Sequence, residues 1–110
     1  MKNSIKLTIA GLSLVLATGA YAASASENWD NSCASCHGAD GKGQTKQGKK
    51  LKLHDYTDAK VQAELKDADM LKAITDGVKI EGKERMKAFK EELSAAEAND
   101  LVAYIRKFKS

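Results

Sequence analysis

The chain has 110 residues, of which 43% are apolar and 30% charged, and this composition is typical of one soluble globular domain. Its formal charge of +3 includes Lys2 and Lys6, and without them 16 basic residues face 15 acidic ones, so the charge balance gives no case for nucleic-acid binding. With one Trp, two Phe and three Tyr, the chain has little material for a core. Small domains of this kind usually need a disulfide, a metal or a cofactor for stability.

Residues 1–22 predict a secretory signal peptide. Two lysines precede an uncharged apolar run, Leu7–Ala17, and the sequence AYA that ends at Ala22 is a small-x-small cleavage pattern. We expect cleavage after Ala22 or Ala25, and a periplasmic domain formed by residues 23–110. The alternative is an uncleaved membrane anchor, although the strongly apolar part is about half of the roughly 20 residues that span a bilayer.

The first predicted helix leads to the only two cysteines of the chain. Ser26 suits an N-cap, and the helix would place Trp29 and Cys33 on one face. Residues 38–56, GADGKGQTKQGKKLKLHDY, contain four glycines and five lysines without periodicity, which predicts a long irregular loop. Loops of this length inside a compact domain are usually functional.

Two short helices are predicted next. Thr57 or Asp58 can cap a helix through about Leu65. Asp67 can cap a second helix, which ends at Gly77. Residues 78–92 lack a clean period and predict a loop.

The last predicted helix is the clearest. Ser94 and Glu97 form a capping box. Apolar residues then recur at positions 98, 101, 102, 105 and 108, the period of an amphipathic helix. No strand pattern is apparent, so we expect an all-α domain of about four short helices.

The motif CASCH, residues 33–37, has three chemical interpretations. A dithiol oxidoreductase would need a βαβ setting that the sequence does not predict. A zinc site could use Cys33, Cys36, His37 and His54, but Cys36 and His37 are adjacent and would strain the backbone. Covalent haem attachment fits best: two thiols three positions apart face one way, and the imidazole of His37 can bind iron as the proximal ligand. A haem would also supply the missing core.

Three residues compete for the second axial position. Met70 lies in a predicted amphipathic helix, where a Met is usually core filling. His54 lies in or beside the lysine-rich loop, where a lone His is usually exposed or hydrogen-bonded. Met86 lies in a predicted loop before the last helix, which favours it as the distal ligand. A thioether ligand would raise the reduction potential and favour electron transfer.

The mature sequence resembles a small monohaem class I c-type cytochrome over its whole length. The similarity lies in the motifs within Trp29–Gly43, Ile74–Gly77 and Leu93–Arg106, and in the late Met86. The resemblance implies a cytochrome c fold, with Trp29 of the first helix packed against Leu101 and Tyr104 of the last.

The resemblance also implies a carrier of single electrons between redox proteins, not an enzyme. Such a protein carries one haem c, acts as a monomer and meets the membrane only through redox complexes. The alternative is a haem-based gas sensor or a peroxidase-like protein with a labile sixth ligand.

Two features bear on the site and its partners. The family usually has Pro after the axial Met, but here Lys87 follows Met86, which predicts a less rigid loop. The Lys42–Lys52 loop contains five lysines and no acid, and it could dock redox partners through their acidic faces. Alternatively, it is a solvated loop that keeps the protein soluble.

Overall fold

The computed structural model describes Gly11 and residues 23–110. The predicted signal peptide and its cleavage site at Ala22 lie outside the described residues, apart from Gly11. Within the described part, no helix is both long enough and apolar enough to cross a bilayer. The described elements are α1 (Ala25–Ser32), α2 (Ala34–His37), α3 (Lys46–Leu51), α4 (Ala59–Glu64), α5 (Asp67–Asp76), β1 (Val78–Ile80), β2 (Lys83–Met86) and α6 (Ala95–Arg106).

Several predicted helix ends are found where local sequence places them. The Asp58 side chain accepts a hydrogen bond from the Lys60 N–H and caps α4. Gly77 terminates α5. The capping box is present, because Ser94 and Glu97 each accept a hydrogen bond from the other's backbone N–H. These ends are encoded by residues two to four positions apart, so neighbouring sequence is enough to predict them.

Two predicted caps are displaced. Ser24, not Ser26, caps α1, because its hydroxyl accepts the Glu27 N–H, and the same hydroxyl donates to the Glu27 carboxylate at 3.2 Å. Asp67 is the first residue of α5 rather than its cap, which is Lys66 without a side-chain hydrogen bond. Asp67 instead lies in the first turn, where its charge complements the helix dipole.

The predicted irregular loop contains a helix, α3, which the sequence analysis missed. Thr45 caps it, since its hydroxyl accepts the Gly48 N–H at 2.9 Å. The helix ends at Lys52, whose φ of 54° is in the left-handed region. The lysines of this segment are therefore carried partly on a helical turn.

Residues 78–92 are not simply a loop, and the expectation of no strands was wrong. β1 and β2 form a two-stranded antiparallel hairpin that ends at Met86. Its turn residues Glu81 and Gly82 have φ values of 53° and 76°. The strands are almost wholly exposed, so no alternation of apolar and polar residues marks them in the sequence.

The apolar core lies where α1, α5 and α6 meet. Trp29 and Leu101 are its most deeply buried large side chains. The Trp29 ring lies 5.6 Å from that of Tyr104, so the first and last helices meet as the family resemblance implies. Met70 is also buried in this core, as expected for a core-filling residue. The buried core residues are Trp29, Cys33, Met70, Ile74, Ala98, Leu101, Val102 and Ile105.

A polar cluster fixes α4 against the end of α6. The Arg106 guanidinium donates to the carbonyls of Gln62 and Leu65, both at 2.6 Å. The buried Gln62 amide donates to the carbonyls of Ile105 and Tyr56, at 2.9 and 2.7 Å. Because these bonds satisfy buried polar groups, they hold Tyr56 at a fixed position beside the CASCH motif.

Candidate functional site

The CASCH motif forms a single tight turn between α1 and α3. Cys33 ends α1 and caps α2, and its carbonyl accepts the N–H of His37 at 3.0 Å. Gly38 ends the turn with a φ of 85°. The chain reverses here because glycine adopts a positive φ without steric cost. This local geometry gathers Cys33, Cys36 and His37 within one helical turn.

Both cysteines are free thiols. Cys33 is buried and Cys36 is partly exposed, and no disulfide joins them. Burial, with a smaller contribution from Cys36, raises the pKa of the Cys33 thiol to about 11.

The imidazole of His37 lies between two aromatic rings. Its ring centroid is 5.4 Å from that of Tyr56, nearly stacked, and 5.7 Å from that of Trp29. Its Nδ1 atom is buried and has no hydrogen-bond partner. Burial lowers the pKa of His37, and the charge of His54 adds to this effect. The neutral form, which binds metals, is thereby favoured.

Three successive backbone carbonyls of the turn accept hydrogen bonds from separate parts of the chain. The Cys36 carbonyl accepts the Thr45 hydroxyl at 2.5 Å, and the His37 carbonyl accepts the Gly43 N–H at 2.8 Å. The Gly38 carbonyl accepts the indole N–H of Trp29 at 2.9 Å. The turn after the cysteines is thus held by α1, by the loop and by the cap of α3.

Gly48 lets α3 pack directly on this turn. A Cβ atom at this position would lie 2.7 Å from the Cys36 carbonyl oxygen, and it would also clash with the carbonyl of Gly43. Sequence reasoning did not single out Thr45 or Gly48. The only local signal was a Thr three residues before a Gly, which suggests a cap but not its contact with Cys36.

Met86 is the last residue of β2 and pairs with Val78 of β1. It is half-buried and packs against the apolar core. The two other candidate ligands have different surroundings, since Met70 is 6% exposed within the core and His54 is exposed. Of the two methionines in the described residues, Met86 is therefore the one that is not enclosed in the core.

The donor atoms at CASCH fit a covalently attached haem. Two free thiols are available on one turn, and the adjacent imidazole has a buried nitrogen that no protein group satisfies. An unpaired buried polar atom is costly, and iron ligation is one way to stabilise such a ring. The described residues hold no cluster of three or more His, Cys, Asp or Glu side chains suited to a metal ion.

Fold and site together define a haem-binding protein of the c type, and sequence comparison agrees. The profile of the Cytochrome c family matches residues 22–109. The chain belongs to the cytochrome c family. It has the cytochrome c fold, carries one covalently bound haem c and acts in haem-based electron transfer.

Two solved structures support this assignment. The KustC0563 c-type cytochrome is 32% identical, and the match covers 80% of this chain and 100% of that one with a TM-score of 0.71. A tyrosine-to-phenylalanine mutant of Kustc0563 is also 32% identical, with coverage of 79% and 100% and a TM-score of 0.68. A search of curated proteins found no match.

Proposed function

We propose that this protein is an exported, one-electron carrier of the periplasm, in which Cys33 and Cys36 hold the haem and His37 and Met86 bind its iron. The observation that carries this proposal is the single turn at CASCH. It presents two thiols outside any disulfide beside an imidazole whose buried Nδ1 lacks a partner among the described residues. No residue here needs to act as a catalytic acid or base, which agrees with a carrier rather than an enzyme.

The chain's own residues would keep the site fixed and dry. Haem c supplies a metal centre that gains and loses one electron. The rings of Trp29 and Tyr56 cover the His37 imidazole, and the bonds to the carbonyls of residues 36–38 keep the turn in place. Rigid ligands favour rapid electron transfer, because little has to move between the two oxidation states.

The lysines around α3 supply a docking surface in this proposal. Thr45 and Gly48 seat α3 on the Cys36 carbonyl, so its lysines lie beside the turn that holds the haem. A basic surface here would attract an acidic face of a redox partner and lose this advantage at high salt. The five lysines are all exposed: Lys42, Lys46, Lys49, Lys50 and Lys52.

Substitution of Met86 tests the ligand set. We expect Met86→Ala to leave the haem attached but to abolish the weak red absorption band of a ferric iron–thioether bond. The reduced variant should bind carbon monoxide rapidly at neutral pH, while the wild-type protein should not. Met70→Leu, a conservative change in the core, is the matched control and should retain the band.

Two outcomes would contradict the proposal. An unchanged band in Met86→Ala would exclude Met86 as the distal ligand. Fast and complete carbon monoxide binding by the reduced wild-type protein would favour the gas sensor or peroxidase-like alternative.

A further inference from the structure

The turn of the β1–β2 hairpin can be altered by substitution without a new contact to any other residue. Its two turn residues, Glu81 and Gly82, both have positive φ values, 53° and 76°. This is the property of the tight hairpin turns that favour Asn-Gly. A Cβ atom on Gly82 would meet nothing within 4 Å. A change at Gly82 therefore acts on the stability of the turn alone.

A β-bulge determines which residue of β2 lies opposite Val78. Lys79 pairs with Glu84, yet the next pair is Val78 with Met86, so Arg85 is the extra residue. In a regular ladder Arg85 would take that place. Bulges redirect side chains in this way. The pairing of the hairpin thus decides that Met86, not Arg85, lies beside Val78.

Backbone contacts also hold the chain on both sides of Met86. After it, the N–H groups of Phe89 and Lys90 donate to the carbonyls of Ile74 and Thr75 in α5, at 2.9 and 3.2 Å. The Met86 backbone lies so close to Gly77 that a Cβ there would be 2.5 Å from the Met86 carbonyl oxygen. The chain around Met86, which is followed by Lys87 rather than by a proline, is therefore fixed by main-chain contacts.

From these contacts we infer that the hairpin is a positioning element for Met86, so that turn stability sets how often this ligand leaves the iron. The inference rests on the proposed function, in which Met86 is the distal ligand. Departure of Met86 would require loss of its pairing with Val78, so a less stable hairpin opens the sixth site more often. The fraction of open protein controls the apparent affinity for an added ligand.

The test is equilibrium binding of imidazole to the oxidised holoprotein. Gly82→Ala places an ordinary residue at positive φ, and we expect the apparent Kd to fall about tenfold. Glu81→Asn creates an Asn-Gly turn and should raise the apparent Kd about threefold. Glu81→Gln removes the same charge without favouring the turn, and it should match the wild-type protein.

The opposite directions of the two effects make the result decisive. If both turn variants bind imidazole with the wild-type Kd while Met86→Ala binds it far more tightly, the hairpin inference is wrong and the ligand assignment stands. If Met86→Ala itself binds imidazole like the wild-type protein, the ligand assignment fails. Equal shifts in Glu81→Asn and Glu81→Gln would assign the effect to charge and would also overturn the inference.

Discussion

The regions that carry the two proposed iron ligands are held in contrasting ways. Around His37, side chains from distant parts of the chain bind the backbone, and aromatic rings cover the imidazole. Around Met86, an exposed hairpin and a few main-chain hydrogen bonds provide the support. Buried side-chain contacts resist local opening more than exposed backbone pairing does.

The proposed roles of the two regions differ accordingly. The His37 region would attach the haem, and the Met86 region would allow ligand exchange at the iron. The turn that holds the thiols and His37 should persist in every state of the protein, whereas the Met86 segment can open without disturbing the core. Substitutions that loosen the His37 region should therefore cost global stability, while those in the hairpin should change ligand exchange at the iron.

Gly48→Ala is expected to give the largest loss on the His37 side. Its Cβ would meet the backbone of Gly43 and Cys36, neither of which can move aside easily. Overpacking costs about 1–3 kcal/mol, and we expect a loss near 3 kcal/mol because both neighbours are backbone. Urea unfolding of the holoprotein measures this loss.

Lys49→Ala provides the control, because it alters an exposed residue of the same helix. Its free energy of unfolding should change by less than about 0.5 kcal/mol. A more stable Gly48→Ala variant, as expected for Gly to Ala in an unconstrained helix, would show that α3 does not pack tightly on the turn.

Thr45→Ala should have an intermediate effect. It removes the cap of α3 and also leaves the Cys36 carbonyl without its hydroxyl donor. We expect a loss of about 1–2 kcal/mol in the free energy of unfolding. Thr45→Ser keeps the hydroxyl and should recover most of this loss. If Thr45→Ser and Thr45→Ala lose the same free energy of unfolding, the methyl group of Thr45 stabilises the fold and its hydrogen bonds do not.

Local sequence was sufficient to single out the CASCH motif and to predict most helix ends. The CASCH motif, the Asp58 cap and the capping box at Ser94 each depend on residues only a few positions apart. The fold class could be predicted because these local signals agreed with one another.

Features that depend on contacts between distant residues could not be predicted. α3 is stabilised through Gly48 and the Cys36 carbonyl, which are 12 positions apart and show no pattern in the sequence. The hairpin was missed because Glu81-Gly82 is a weaker turn signal than Asn-Gly and its strands are exposed. The bulge at Arg85 appears only once the strands are paired.

The smallest expected effect concerns a hydrogen bond between α1 and α6. The Asn28 amide donates to the Glu97 carboxylate at 3.0 Å. This bond, together with those from the Ser94 backbone and hydroxyl, lowers the pKa of Glu97. Because the folded state has the lower pKa, the stabilisation is present near neutral pH and is lost as the pH falls through that value.

Glu97→Gln should therefore be less stable than the wild-type protein at neutral pH, and the difference should shrink in acid. The melting temperatures of both holoproteins, measured from about pH 7 down to about pH 3, check this. Glu91→Gln, at an exposed position before α6, controls for the lost charge and should follow the wild-type curve. A constant difference in melting temperature between Glu97→Gln and the wild-type protein at every pH would mean that the shape of the Glu97 side chain, not its charge, is stabilising. In that case the α1–α6 contact would be as insensitive to pH as the apolar core beside it.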